Sequence, residues 1–281
     1  MRFSFFVLLI SLGLAACSSS PSDGTSPKED KKAKEVKDVE TVESLYNRAA
    51  ELLDDGDERE AISLFQDVER LYPYSKWSKQ AQLMAGYAAY STQSYDEAVL
   101  ALDRFIQLHP GHQNIDYAYY LRALSFYEQT SDVARDQAMT EQALQSLDVL
   151  VRRFPQSRYT RDASLKRDLT LDHLAGKEME IGRYYLNRGH INAAINRFRV
   201  VVTEYQTTTH TAEALHRLVE SYLTLGLSDE ATRIAAVLGH NYPGSNWYER
   251  SYTLLDEESR SKLLSNRGFV DRTVESLFKP E

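Results

Sequence analysis

The sequence predicts an all-α protein, a right-handed superhelical solenoid of five consecutive helix pairs. One observation is a ring side chain followed by proline, which recurs four times, and once more in a degenerate Tyr-Gln form. A second is an alanine twelve residues before each of these prolines or the glutamine. A third is an apolar residue four and seven positions after every alanine, which is the spacing of one helix face. The rings are Tyr72, His109, Phe154, Tyr205 and Tyr242, and the alanines are Ala61, Ala98, Ala143, Ala194 and Ala231.

A further helix is predicted before each alanine-bearing helix. Eight residues before four of the alanines stand Leu53, Tyr90, Leu186 and Leu223, and twelve residues before stand Ala49, Gly86, Gly182 and Val219. Turn signals lie between the two helices at 55–57, 187–190 and 225–228. The proline after each ring ends the second helix. The serines that follow it, Ser75, Ser157 and Ser245, are predicted to cap the next helix.

This pattern resembles the tetratricopeptide repeat. The resemblance implies five repeats that bury their apolar stripes by stacking, with a concave face lined mainly by the first helix of each pair. The spacings between successive anchors are 37, 45, 51 and 37 residues. The third and fourth units therefore carry extra residues, near 128–139 and 169–179, which either interrupt the solenoid or lengthen its helices.

The N-terminus has the pattern of an exported lipoprotein. Residues 1–16 are predicted to be a cleaved signal peptide, because their apolar run is too short for a permanent membrane span. Residues 14–17 read Leu-Ala-Ala-Cys and resemble a bacterial lipobox, so Cys17, the only cysteine, is the predicted lipidation site. A free thiol in an ordinary signal peptide is the alternative. Ser18 stands where an inner-membrane retention signal would place Asp, which favours the outer membrane.

The predicted organisation has five parts. They are the signal peptide (1–16), the lipidated cysteine with a disordered tether (17–40), a module of repeats one to three (41–155), a module of repeats four and five (156–255) and a C-terminal helix or tail (256–281). In the tail, Val270, Val274, Leu277 and Phe278 recur at helical spacing. This spacing predicts a helix that caps the last repeat, with docking on another chain as the alternative.

One segment resembles a specific family. Residues 103–117, and above all the stretch Asn114-Ile115-Asp116-Tyr117, closely resemble the connection between the second and third repeats in the outer-membrane lipoproteins of the β-barrel assembly (BAM) machinery. The resemblance implies a protein on the periplasmic face of the outer membrane. It also implies contacts with the POTRA region of the barrel insertase BamA and with other BAM lipoproteins. The implied cargo is the C-terminal segment of an unfolded outer-membrane protein.

Tyrosines supply the candidate cargo surface. Of the eighteen tyrosines, six crowd the predicted first helices of repeats two and three: Tyr87, Tyr90, Tyr117, Tyr119, Tyr120 and Tyr127. On a helix, Tyr117 and Tyr120 share a side, while Tyr119 points about 100° away from Tyr120. Rings with hydroxyl groups suit an extended peptide. The alternative is that these rings simply fill the interior of the repeats.

The candidate binding residues fall into two groups. The resemblance to the BAM lipoproteins implies cargo recognition at Arg59 and Tyr72, and insertase contact at Asn196 and Arg197. The full set for the cargo groove is Arg59, Tyr72, Tyr87, Tyr90, Asn114, Asp116, Tyr117 and Tyr120. Solvated charge and ordinary packing are the alternative interpretations.

Composition and motifs argue against other classes of function. The 33 basic against 41 acidic residues give a formal charge of −8, which disfavours a nucleic-acid partner. His210 and His216 lie six residues apart, about 120° around a helix, unlike a zinc-binding pair. The sequence contains no Walker loop, dinucleotide fingerprint or nucleophile elbow. We therefore expect a scaffold without catalytic residues, cofactor or metal. The alternative function is a repeat lipoprotein that coordinates envelope constriction or peptidoglycan enzymes.

Overall fold

The computed structural model describes residues 40–130, 132–133 and 135–265. The signal peptide, the lipobox with Cys17, the tether up to residue 39 and the apolar pattern at 270–278 lie outside these residues. The described part of the chain contains helices and no strand. The helices are α1 (Val42–Asp55), α2 (Glu58–Leu71), α3 (Lys76–Ser91), α4 (Tyr95–Leu108), α5 (Ile115–Tyr127), α6 (Ala138–Arg153), α7 (Thr160–Asn187), α8 (Ile191–Glu204), α9 (Thr211–Thr224), α10 (Ser228–Asn241), α11 (Asn246–Leu254) and α12 (Glu257–Ser265).

The first ten helices form five consecutive hairpins, which confirms the predicted helix-pair solenoid. Each of them packs against the next one along the chain. The first helices of neighbouring pairs also touch, as α1 does α3, α3 does α5 and α5 does α7. Helices α11 and α12 follow the fifth pair and pack on α9 and α10. Because contacts run between neighbours in sequence, the buried side chains form successive hydrophobic clusters along the stack.

The alanine column lies in the buried core of every pair. All five alanines are fully buried, with 0% of their surface exposed. The residues four and seven positions later are equally buried, and they include Phe65, Phe105 and Phe198. A small residue followed by larger ones on the same face lets the two helix axes approach and then fills the space on either side.

The ring residues before the prolines end the second helix in the same way each time. Tyr72, His109, Phe154 and Tyr242 have φ between −133° and −127° and ψ between 53° and 58°. These residues have left the α-helical region, which a following proline disfavours for the residue before it. Tyr205, which precedes Gln206, has nearly the same geometry, with φ −123° and ψ 38°. The repeat therefore persists where the proline is absent.

The turn inside a pair also repeats. Gly56, Gly189 and Gly226 have positive φ, and Gln93 occupies the same place with φ 59°. Each of the four turns is closed by two backbone hydrogen bonds that cap the first helix, such as Gln93 N to Tyr90 O at 2.9 Å. In the third pair the connection spans 128–137, and its described residues include none with positive φ.

Two of the three predicted serine caps are confirmed. The hydroxyls of Ser75 and Ser245 accept from backbone N–H groups three residues later and begin α3 and α11. The prediction for Ser157 was wrong. Helix α7 begins at Thr160, and the Ser157 hydroxyl instead donates to Asp116 Oδ2 at 2.7 Å. The serine is used for a contact between pairs rather than for a cap.

The two insertions have different structures. In the third pair the extra residues form the connection before α6, where the amide of Gln137 donates to carbonyls of the same loop, including Arg135 O at 3.0 Å. In the fourth pair they lengthen α7 to 28 residues, twice the 14 of α8. Ala163 near the start of α7 packs with α5 and α6, while Met179 packs in the core of the last two pairs. Among the described helices none is both long and apolar enough to cross a membrane.

Candidate peptide-binding surface

Five tyrosines from α3, α5 and the start of α7 lie together. The ring centroids of Tyr87 and Tyr117 are 6.4 Å apart, and those of Tyr117 and Tyr159 are 5.2 Å apart. Tyr120 stacks on Tyr159 at 4.8 Å with an interplanar angle of 18°. Tyr90 is near enough to contribute to the raised pKa values of Tyr117 and Tyr120. We call these five residues the aromatic surface.

Helical spacing explains why these rings share a side. Tyr87 and Tyr90 are three residues apart on α3, as Tyr117 and Tyr120 are on α5. Tyr119 points away from this side of α5, as predicted. Its ring lies 5.3 Å from that of Phe154, and its hydroxyl accepts a hydrogen bond from Arg153 at 2.6 Å. The aromatic surface is therefore built from one face of the first helices α3 and α5, together with Tyr159, which directly precedes the first helix α7.

The first turn of α7 completes the aromatic surface. The hydroxyl of Tyr120 donates to Asp162 Oδ2 at 2.7 Å, and Lys166 Nζ donates to Oδ1 of the same carboxylate at 3.1 Å. Burial raises the pKa of Asp162, but these two hydrogen bonds outweigh it, so the pKa lies below the usual value. Asp162 is therefore an anionic acceptor at neutral pH. It fixes the Tyr120 ring in the position where it stacks on Tyr159.

The sequence reasoning missed Tyr159 and Asp162. A periodic signal for Tyr159 was present, since it lies four residues after Pro155, as Trp77 and Trp247 do after their prolines. Each of these three rings packs against a ring of the preceding first helix: Trp77 against Tyr46 at 4.8 Å, Tyr159 against Tyr120 and Trp247 against His216 at 5.2 Å. This repeated ring contact connects one helix pair with the next at three places along the chain.

Within the aromatic surface, the hydroxyl groups of Tyr90, Tyr117 and Tyr120 stay protonated at neutral pH. Burial raises the pKa of Tyr117 to about 12, helped by the neighbouring Tyr87 and Tyr159. Burial and the Asp162 carboxylate raise the pKa of Tyr120, and burial also raises that of Tyr90. Within the described residues the hydroxyls of Tyr87, Tyr90 and Tyr117 make no hydrogen bond. Three hydrogen-bond donors are thus free to meet a ligand.

Asn114 and Asp116 lie next to the aromatic surface and have structural partners. Asn114 precedes α5, and its backbone N–H donates to His112 Nδ1 at 3.2 Å. The Asp116 carboxylate accepts from its neighbour's backbone, Tyr117 N, at 2.9 Å and from the Ser157 hydroxyl. Both residues hold the start of α5 and its connection to the next pair.

The two candidates in the first pair lie elsewhere. Arg59 is exposed in the first turn of α2. Tyr72 uses its hydroxyl to donate to the backbone carbonyl of Glu40 at 2.7 Å. Among the described residues, neither side chain contacts a ring of the aromatic surface. The structure therefore brings four of the eight groove candidates together, with Asn114 and Asp116 beside them.

The candidate insertase contacts lie on α8. Asn196 is exposed. Arg197 Nη1 forms an ion pair with Glu178 Oε2 on α7 at 3.1 Å, and its side chain remains 42% exposed. The guanidinium is thus positioned by this chain and still accessible to another.

Comparison with known proteins identifies the family. The YfiO family model, described as "Outer membrane lipoprotein", matches residues 38–238, well over half of the chain. A Caulobacter vibrioides protein named outer membrane protein assembly factor BamD is 48% identical over 250 residues, covering 89% of this chain and 79% of the relative. The chain belongs to the BamD family.

Two further BamD relatives support the assignment to this family. A BamD protein of Rickettsia prowazekii is 47% identical, covering 76% of this chain and 85% of its own length. A BamD protein of Neisseria meningitidis is 36% identical, covering 85% and 91%. Membership in the BamD family confirms the resemblance seen in the sequence and associates the chain with outer-membrane protein assembly. It favours this role over the coordination of envelope constriction or peptidoglycan enzymes.

Proposed function

We propose that this BamD-family chain is a lipid-anchored scaffold on the periplasmic face of the outer membrane. In this proposal it binds the POTRA region of BamA and other BAM lipoproteins, and it receives the C-terminal segments of unfolded outer-membrane proteins. Family membership supports the role in assembly. The finer roles rest on the surfaces described above. No catalytic step and no cofactor is part of the proposal.

The aromatic surface carries the proposal for cargo binding. An unfolded barrel segment is an extended chain with unpaired backbone carbonyls and alternating apolar side chains. Three free tyrosine hydroxyls can donate to such carbonyls, and the five rings supply apolar area at a small entropic cost. These contacts are individually modest, so we expect capture to be weak enough for transfer to the insertase.

We assign the contact with BamA to Asn196 and Arg197 on α8. A guanidinium that already pairs with Glu178 can exchange this carboxylate for one on a partner, or bind both. The aromatic surface lies on first helices, whereas α8 is a second helix. Cargo and insertase would therefore use different sides of the helix pairs.

We retain the two-module organisation as part of the proposal. Repeats one to three (41–155) would carry most of the aromatic surface, and repeats four and five (156–255) the insertase contact. Helix α7 belongs to both modules in its packing, because its start contacts α6 and its end contacts α8. A rigid helix of this length would transmit movement between the cargo and insertase surfaces.

A hydroxyl-deletion experiment tests the cargo proposal. The variant Tyr87→Phe/Tyr90→Phe/Tyr117→Phe keeps all rings and removes only the three free hydroxyls. We expect its affinity for a labelled synthetic peptide with the C-terminal strand of a porin to fall about tenfold or more, since each hydrogen bond contributes about 0.5–1.5 kcal/mol. Fluorescence anisotropy measures the loss.

The matched control removes three hydroxyls elsewhere. Tyr184, Tyr222 and Tyr252 lie on α7, α9 and α11 and also lack a hydroxyl hydrogen bond within the described residues. Their triple Phe variant should bind the peptide like the wild type. Equal affinity of both triple variants and the wild type would contradict the proposed site.

A further inference from the structure

Glu40, directly before the first repeat, is held by two contacts. The backbone carbonyl of Glu40 accepts from the Tyr72 hydroxyl at 2.7 Å, and its carboxylate pairs with Arg48 Nη1 at 2.7 Å. Thr41 then caps α1, accepting from Ser44 N at 3.2 Å. Glu40, the first residue that the structure describes, is therefore held beside the turn between α2 and α3.

This turn exposes large apolar side chains. Tyr74 is 100% exposed and Leu71, the last residue of α2, is 53% exposed. Within the described part of the chain, Tyr74 makes no ring contact and its hydroxyl makes no hydrogen bond. The fold thus leaves two large apolar side chains, Leu71 and Tyr74, uncovered at one turn.

Two uncompensated cations follow. Lys76 and Lys79 are exposed in the first turn of α3, and neither forms an ion pair among the described residues. The Lys76 ammonium lies 5.1 Å from the ring centroid of Trp77. An aromatic ring, an aliphatic side chain and lysines on flexible stems are the combination that polypeptides present to an anionic bilayer interface.

Nearby carboxylates on α2 do not offset these lysines. Asp67 pairs with Arg70 at 2.6 Å, and Glu69 pairs with Arg104 at 2.5 Å. The turn thus keeps a positive charge, which complements an anionic lipid surface.

We propose that the turn 71–79 is a second membrane contact, which lays the first repeat on the lipid headgroups. The inference rests on the proposed lipid anchor at Cys17. Cys17 and Glu40 are only 23 positions apart in the sequence, a reach of at most about 80 Å when fully extended. Since the anchor already holds the turn near the bilayer, even a weak contact is populated.

A single-cysteine probe tests this proposal in the full lipidated chain. The sulfur of Cys17 is acylated in mature protein, so Tyr74→Cys supplies one free thiol for the fluorophore NBD. The labelled chain is placed in nanodiscs of phosphatidylethanolamine and phosphatidylglycerol, with or without a doxyl-labelled lipid. The control is Leu227→Cys, at a position in the fifth repeat that is 41% exposed.

We expect doxyl quenching at position 74 to be at least about threefold stronger than at position 227. Adding Lys76→Glu and Lys79→Glu should reduce this ratio to near one. Equal quenching at both positions would overturn the proposal, and so would a probe at 74 that responds only when an unfolded porin peptide is added. Failure of the anchor itself is a separate result, because that chain would not enter nanodiscs at all.

Discussion

At the turn inside four of the helix pairs, the backbone conformation restricts which residue types fit without strain. Three of the four left-handed turns use glycine, and Gln93 adopts φ 59° without that freedom. An L-residue in this region costs about 1–2 kcal/mol, offset in part by the larger entropy that glycine loses on folding. We predict that Gln93→Gly stabilises the protein by about 1 kcal/mol, measured by urea unfolding.

The converse variant is the control. A Cβ atom at Gly226 would meet nothing within 4 Å, so Gly226→Ala changes only the backbone preference at φ +74°. It should destabilise the protein by about 1 kcal/mol. If both variants shift the unfolding midpoint in the same direction, the left-handed turn is not what determines stability at these positions.

At the scale of the helix, close axis approach depends on glycine where a large side chain faces it. A methyl group at Gly182 on α7 would collide with the ring of Phe198, which is fully buried. At Gly86 on α3 the nearest atom would be Leu102 Cδ2 at 2.8 Å. An aliphatic side chain can rotate away more easily than a packed ring.

These contacts predict an order of stability losses. Gly182→Ala should cost about 2–3 kcal/mol and Gly86→Ala about 1–2 kcal/mol, because both overpack a helix interface. Gly244→Ala, where a Cβ atom meets nothing within 4 Å, should be close to neutral. Thermal unfolding of the three variants checks the order. A Gly244→Ala loss as large as that of Gly182→Ala would contradict it.

The helix pairs could be predicted because each needs the same small residue and the same ending, which leave a periodic trace in the sequence. The start and length of α7 could not be predicted in the same way. In its first half Leu165 and Leu169 are each 60% exposed while the polar Thr170 is buried, so the apolar residues of the sequence do not mark the buried face of the helix. Residues 155–160 include several turn formers, so the sequence did not show which of them precedes the first residue of α7. The cap was therefore wrongly assigned to Ser157.

At the scale of the whole molecule, the residues of the candidate site that lie on one helix could be predicted from the sequence, but those contributed by the next helix pair could not. Tyr117 and Tyr120 could be placed together from helical spacing alone. Tyr159 and Asp162 join them from 42 residues further along the chain, counted from Tyr117 to Tyr159 and from Tyr120 to Asp162. Such contacts depend on how one pair stacks on the next. The position of Tyr159 four residues after Pro155 repeats that of Trp77 and Trp247, but this spacing does not by itself say which ring Tyr159 meets.

The anchor gives a prediction for the whole molecule. Cys17→Ala removes the sulfur that would carry the lipid, so the chain should leave the outer-membrane fraction, as judged by immunoblot after density-gradient separation. Ser18→Ala is the matched control and should remain there. Outer-membrane porin levels should fall with the first variant and not with the second. Normal localisation of the Cys17→Ala chain would contradict the proposed anchoring.

The most direct measurement is site-specific photocrosslinking in living cells. A photoreactive benzoylphenylalanine replaces Tyr90 or Tyr117 on the aromatic surface, or Tyr184 or Tyr252 outside it. We predict adducts with newly exported porins at the first two positions and none at the other two. Adducts that are absent at all four positions, or equally strong at all four, would contradict cargo binding by the aromatic surface.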